Sequence, residues 1–234
     1  MDLIIDGITQ AFRLIVSLDK EIIEITLLSL KISMSATFIS LVIGISGGTA
    51  LALSNFPGKR FLVVLVNTGM GMPPVVAGLA VTIMLWRNGP LGFFEILYTP
   101  AAMVIAQSVI ATPIITGISF AAVQNIPEKM RLQILALGAT KAQMVWMLVK
   151  EARLPMLAGV MAGFGGVISE IGASIMVGGN IRGYTRVLTT ATVMETGKGN
   201  FDIAIALSVI LLLLIFAVNF ILTSIQQKGK RNVR

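Results

Sequence analysis

Ionisable side chains are spread so unevenly along these 234 residues that few folds are open to the chain. Stretches 32–58, 61–86, 96–127 and 203–227 contain none, and a fifth, 154–169, continues past a lone Glu170 toward position 180. A helix needs about 20 apolar residues to cross a hydrocarbon core roughly 30 Å thick. At that depth no water is available to the backbone, so each segment must satisfy its own N–H and C=O groups, as a helix does. Crossings are expected near 23–53, 61–86, 101–122, 156–178 and 202–225. The expected fold is an all-α membrane protein with about five spans, forming a single domain over residues 1–234.

Charged residues make up 12% of the chain, against about 25% in soluble proteins, which agrees with burial in lipid. Cysteine and histidine are both missing, so disulfides, thiolate chemistry, His-ligated metals and a Ser-His-Asp triad are excluded. The net charge of +7 is explained by loop bias rather than by nucleic acid. Lys59, Arg60, Lys129, Arg131, Lys141, Lys150, Arg153, Lys228, Lys230, Arg231 and Arg234 fall in three connections that five crossings place on one side. Arg13, Lys20, Arg87, Arg182, Arg186 and Lys198 fall on the other, and Lys31 within a span. The positive-inside rule then sets the N-terminus outside and the C-terminus in the cytoplasm.

The first basic residue is Arg13, and Asp2 and Asp6 precede it, so the opening segment does not read as a cleavable signal. Ile4, Ile8, Phe12 and Ile15 recur at helical spacing. They predict either an interfacial helix on the outer surface or a frayed terminus. In the second span Gly69, Gly71, Pro73 and Pro74 forbid a regular helix, because two prolines remove two donors. Such a break reads as a bend lining a pathway or as a packing kink. Gly44 with Gly48, and Gly159 with Gly163, are small-residue pairs that let helices approach closely.

Residues 124–155 form the one long cationic connection. Pro127 suits the first turn of a helix whose Met130, Ile134 and Leu137 repeat on one face. Gly138 ends it in a left-handed conformation, and Thr140 with Gln143 starts a second helix with a capping box that runs on through Pro155. A helix bound to acidic lipid would carry the same charge but has no need of a sharp turn between two capped helices.

This helix, Gly138-Ala139 turn, helix and later Leu154-Pro155 resembles the cytoplasmic coupling loop of ATP-binding-cassette importer permeases. Leu132, Gln133 and Ile134 stand where that family has Glu-Ala-Ala, and Glu151 where its first proline falls. TLLSLKISMSATFISLVIGISGGTALA at 26–52, FPGKR at 56–60, MPPVVAGL at 72–79, RNGPLG at 87–92 and ISEIGASIMVGGNIRGYTRVLTTA at 168–191 are similar to molybdate, tungstate and sulfate importer permeases. The last segment is most similar to the tungstate type.

The resemblance implies an oxyanion importer permease in a prokaryotic cytoplasmic membrane. Its implied partners are a second copy of the chain, two cytoplasmic ATPase subunits, an extracytoplasmic oxyanion-binding protein and lipid, with no nucleic acid. ATP would be used by the partner, since this chain has no Gly-x4-Gly-Lys-Ser/Thr loop; no cofactor and no metal are expected on it, and no enzyme activity of its own. Glu128, Met130, Arg131, Ile134, Leu137, Gly138 and Ala139 are the implied ATPase-coupling residues.

Pro73, Pro74, Lys31, Glu170, Gly178, Asn180, Arg182, Thr185 and Arg186 are candidates for the path or gate. An intramembrane ionisable residue points to function. Glu170 and Lys31, each about 12 Å from the outer end of its span, are expected either to pair or to leave Glu170 for anion handling. The outer segment 178–200 is rich in Gly, Thr and Arg, which suits oxyanion contacts or the docking of a binding protein; a solvated loop at lipid headgroups is the plain alternative. A secondary transporter acting alone is the competing class, but the spans show no two-half symmetry.

Overall fold

The computed structural model describes residues 2–17 and 19–231, which include eleven α-helices and one 3-10 turn. In chain order the helices are α1 Asp2–Val16, α2 Lys20–Leu53, α3 Lys59–Met70, α4 Pro74–Leu85, α5 Pro100–Gln124 and α6 Glu128–Ala136. They continue with α7 Lys141–Glu151, α8 Arg153–Ile168, α9 Gly172–Gly178, α10 Leu188–Gly197 and α11 Phe201–Arg231. Of these, α2, α5 and α11 are long and apolar enough to cross a membrane alone. Two further pairs qualify only together, α3 with α4 bent by 105° and α8 with α9 bent by 60°.

Each bent pair follows α5 along its length, which makes it a broken span rather than a loop that dips in and returns. Lys59 Nζ sits 5.9 Å from the centre of the Phe120 ring, Gly69 meets Pro113, and Val81 and Leu85 share a cluster with Ala102, Met103 and Ala106. In the same way Gly159 meets Ile118, Gly163 meets Ile115, and Gly178 meets Met103. Five crossings result among the described residues; α5 is the column for α2 and both bent pairs, whereas α11 packs on α8, α10 and α1.

Lipid gives no hydrophobic drive for helix to meet helix, so close backbone approach and interhelical hydrogen bonds must hold the bundle. The α2–α5 seam shows both. A Cβ on Gly48 would lie 2.5 Å from the Thr116 carbonyl oxygen, and one on Gly44 2.8 Å from Ile115 Cγ2. Beside them Thr112 Oγ1 donates to Ser40 Oγ at 3.1 Å, and Ser40 Oγ to the Ser108 carbonyl at 3.1 Å.

The N-terminal helix packs on α11 through Gly7 and Ala11, with Gly7 against Ile205. The predicted stripe is a different face: Ile8 and Phe12 are exposed, while the side chains of Ile4 and Ile15 lie outside the described residues. Of the basic C-terminal residues, Arg234 also lies outside them.

Candidate functional site

The 124–155 connection carries exposed apolar side chains, Leu132, Leu135, Leu137, Trp146 and Met147, among polar residues. Pro127 precedes α6, and Glu128 sits in its first turn, where a carboxylate favours the helix dipole. Ile134 is buried among Ala52, Val123, Leu148 and Met156, with Met130 and Ala139 packed against the same cluster. Arg131 Nη2 donates at 2.9 Å to the Val123 carbonyl in the last turn of α5, which also accepts the Ile126 N–H at 3.2 Å. This helix is therefore fastened to the inner end of the central column by one guanidinium bond and an apolar cluster.

Gly138 adopts φ +85°, the left-handed geometry expected of it, and its N–H bonds the Leu135 carbonyl at 3.0 Å. The Thr140–Gln143 capping box forms as the spacing predicts. Two expectations fail here. Leu137 does not share the face of Met130 and Ile134: it is 87% exposed, because α6 ends at Ala136 and the chain swings away toward Gly138. Nor does the second helix run through Pro155, since α7 stops at Glu151 and α8 begins at Arg153 after a break at Ala152.

Leu137, Gly138, Ala139, Ala142, Trp146 and Met147 line an open groove of about 640 Å³. Trp146 is 65% exposed, and Lys150 Nζ stands 5.1 Å from its ring centre. Sequence reasoning passed over Trp146. Its signal was a tryptophan one turn before a lysine, on a connection otherwise made of small, aliphatic and charged residues.

At membrane depth the two broken spans meet. A Cβ on Gly78 of α4 would lie 2.6 Å from Ala173 Cα of α9, and one on Gly172 would lie 2.6 Å from Val75 Cγ2. The Pro73-Pro74 break and the Glu170 break are thus neighbours. Pro73 takes the N-cap position of α4, and Pro74 is its first residue, where the missing N–H costs nothing. Glu170 Oε1 accepts the Ala173 N–H at 3.0 Å, and the Glu170 carbonyl accepts Thr189 Oγ1 at 3.1 Å.

Among the described residues Lys31 forms no ion pair with Glu170. The reason lies in depth. Counted from Leu53, Lys31 stands about 33 Å up α2, beyond a roughly 30 Å hydrocarbon core. It is exposed beside Glu21, Glu24 and Tyr184, at the outer boundary. A 34-residue helix overhangs the membrane, so measuring from its outer end misplaces the lysine.

At the opposite end of the bundle Glu21, in the first turn of α2, gathers both arginines of the 178–187 segment. Arg182 Nε donates to Glu21 Oε1 at 2.9 Å and its Nη2 to Glu21 Oε2, while Arg186 Nη1 stands 3.7 Å from Oε1. The hydrogen bonds and charge of Glu21 push the Arg182 guanidinium further up. Thr185 is fully buried: it accepts the Ile181 N–H at 2.9 Å and donates to the Gly178 carbonyl. These three residues tie the loop together, so Arg182 and Arg186 are held by a carboxylate rather than presented free.

Asn180 has φ +51° and a buried Oδ1 that finds no partner among the described residues, next to Gly179, on which the Tyr98 ring packs. Hydrogen bonds from Lys198 and Asn200 hold the Glu195 carboxyl below the usual Glu range. Among the described residues no group of three or more Asp or Glu side chains could hold a metal ion.

The chain is 40% identical over 203 residues to a probable anion ABC transporter permease of Haloferax volcanii, covering 85% of this chain and 88% of that one. It is 37% identical over 228 residues to the tungstate uptake system permease of Peptoclostridium acidaminophilum, covering 97% and 100%. The fold matches the inward-facing MetNI methionine ABC transporter with TM-score 0.74 at 20% identity, over 91% of this chain and 98% of that one. Residues 40–231 match the family model described as the inner membrane component of binding-protein-dependent transport systems. An all-helical bundle with α5 at its centre, a helix-turn-helix fastened to one end of it, and this match over most of the chain place the protein in that family of ABC importer permeases.

Proposed function

We propose that this chain is the membrane subunit of an ATP-driven tungstate importer. It would work as a homodimer with two cytoplasmic ATPase subunits and an extracytoplasmic binding protein, with its N-terminus outside. Full-length similarity to a tungstate uptake permease supports the cargo. The observation that carries the coupling role is the exposed groove at Leu137, Gly138 and Trp146, borne on a helix that Arg131 and Ile134 fasten to α5. A partner that fills this groove and moves on ATP binding drags the inner end of α5, and with it both broken spans.

Here Glu128, Met130, Arg131, Ile134, Leu137, Gly138 and Ala139 divide the work. Leu137 and the Gly138 turn meet the partner, whereas Met130, Arg131, Ile134 and Ala139 pass its motion inward. ATP is spent by the partner. Pro73, Pro74, Glu170 and Gly178 belong to the moving breaks, and Asn180, Arg182, Thr185 and Arg186 shape the outer surface on which a loaded binding protein would sit.

The deciding experiment is uptake of labelled tungstate into vesicles holding this chain with its ATPase, the binding protein being supplied on the extracytoplasmic side. Uptake that needs ATP and resists excess molybdate and sulfate is the expected result. Equal competition by molybdate would move the cargo to oxyanions of that size in general. Uptake that persists without the ATPase would overturn the importer reading.

A further inference from the structure

The helix α3 buries none of its residues, yet it belongs to a span. Lys59, Val63, Val66 and Gly69 are its less exposed positions, recurring every three or four residues on the side that meets α5. The opposite side shows Phe61, Val64, Leu65 and Thr68 to the surroundings, and Asn67 is exposed on the flank, one turn after Val63. Among the described residues neither the Asn67 carboxamide nor the Thr68 hydroxyl has a hydrogen-bond partner.

Their depth is set by α5. Gly69 meets Pro113, which stands about 20 Å from Pro100 and about 17 Å from Gln124 along that helix. Asn67, two residues earlier, therefore lies close to the middle of the membrane. The exposed face of α11 makes the contrast: Leu212, Leu213, Phe216, Phe220, Ile221 and Ile225 are all apolar, as a lipid-facing surface requires. An unpartnered amide at mid-membrane is costly against lipid, since transfer of such a group out of water without a hydrogen bond costs several kcal/mol. The face that bears it needs water or another polar group.

We propose that the Asn67 side of α3 borders the aqueous path between two copies of the chain, and that its carboxamide N–H is a mid-membrane hydrogen-bond donor to the passing oxyanion. This rests on the importer reading above. A tetrahedral oxyanion has acceptors on every side, and a neutral amide offers it donors without the deep well of a guanidinium. Conduction needs sites of that kind, favourable enough to enter and weak enough to leave. Arg182 and Arg186, already bound to Glu21, play no part at this depth.

The test uses the assembled transporter in vesicles. Asn67→Leu should lower tungstate uptake about tenfold, the loss of one hydrogen bond to an anion, while ATPase stimulation by the loaded binding protein remains. Asn67→Gln, which keeps the donor, should restore most of the uptake. Because the chain has no cysteine of its own, Asn67→Cys introduces a single thiol into it. That thiol should react with a charged, membrane-impermeant methanethiosulfonate and be protected by excess tungstate during turnover, whereas Phe216→Cys should stay unreactive.

Normal uptake by Asn67→Leu overturns the proposal, and so does an Asn67→Cys thiol that no charged reagent reaches. A disulfide between copies through Asn67→Cys, with no labelling, would make the residue a dry subunit contact and also overturn it. A wild-type complex that moves no oxyanion would instead sink the importer reading, which separates the two failures.

Discussion

At Gly138 the backbone φ of +85° comes with nothing within 4 Å of a would-be Cβ, so a side chain there meets strain but no clash. A β-branched residue in left-handed geometry costs about 1–2 kcal/mol, and asparagine far less. Gly138→Val should therefore uncouple ATP hydrolysis from uptake or lower the melting temperature, while Gly138→Asn stays close to wild type in both assays. At Glu170 the carboxylate caps α9 and leaves Lys31 alone. Glu170→Gln keeps an acceptor for Ala173 N–H and should melt near the wild type, whereas Glu170→Ala should lose about 0.5–2 kcal/mol. Adding Lys31→Ala should neither rescue nor worsen the alanine variant, since separated sites add; a rescue would restore the ion pair that the structure denies.

What could be read from single residues follows from how local their physics is. The Gly138 turn and the Thr140–Gln143 box need only neighbours in sequence, and both were legible. Lys31, Glu170 and Leu137 were not, because their places depend on how far α2 overhangs the bilayer, where α9 starts and where α6 ends.

At the scale of elements, the crossing of α4 and α9 depends on Gly78 and Ala173. Gly78→Leu should force the two apart and lower both uptake and yield, whereas Gly183→Ala, in open space, should cost only its backbone strain. The α10–α11 turn is held by Glu195, whose carboxyl accepts from Lys198 Nζ at 2.8 Å and Asn200 Nδ2 at 2.7 Å. Its folded pKa is lowered, so its contribution is complete at neutral pH and is lost as pH falls through the folded value, below the usual Glu range. Glu195→Gln should cost about 0.5–1 kcal/mol at pH 7, reduced by solvent around the exposed Lys198, and less as the pH drops toward 3. Thermal melts of both proteins across that range in detergent would show a constant gap if the carboxylate were not responsible. Breaks were foreseeable at this scale from Pro73 and Pro74, yet the second bend at 169–171 carried no proline. There Gly172 leaves room for Val75, which lies far away in sequence, while Glu170 accepts the Ala173 N–H at the start of the new helix.

Taken whole, the molecule is a bundle in which α2 and both broken spans hang on α5 while α11 packs outside them on α8, and the number of crossings was readable because lipid rules out most other ways to satisfy a backbone. Which span lies at the centre was not, since hydropathy ranks α11 above α5 although α11 is the less buried. Centrality reflects small residues and hydroxyls that match a partner's, and a single segment cannot reveal its partner. That central place has a cost in time. Ser40 and Ser108 are 68 residues apart, so at about 5–20 residues per second the polar seam of α2 waits roughly 3–14 s for the ribosome to deliver its complement. Through that interval α2 and the broken α3–α4 span sit in the bilayer with unmatched hydroxyls and an open elbow. An insertase able to shelter two unfinished spans until the third arrives should therefore raise the yield of this chain, and a product truncated before Pro100 should be cleared rather than accumulate.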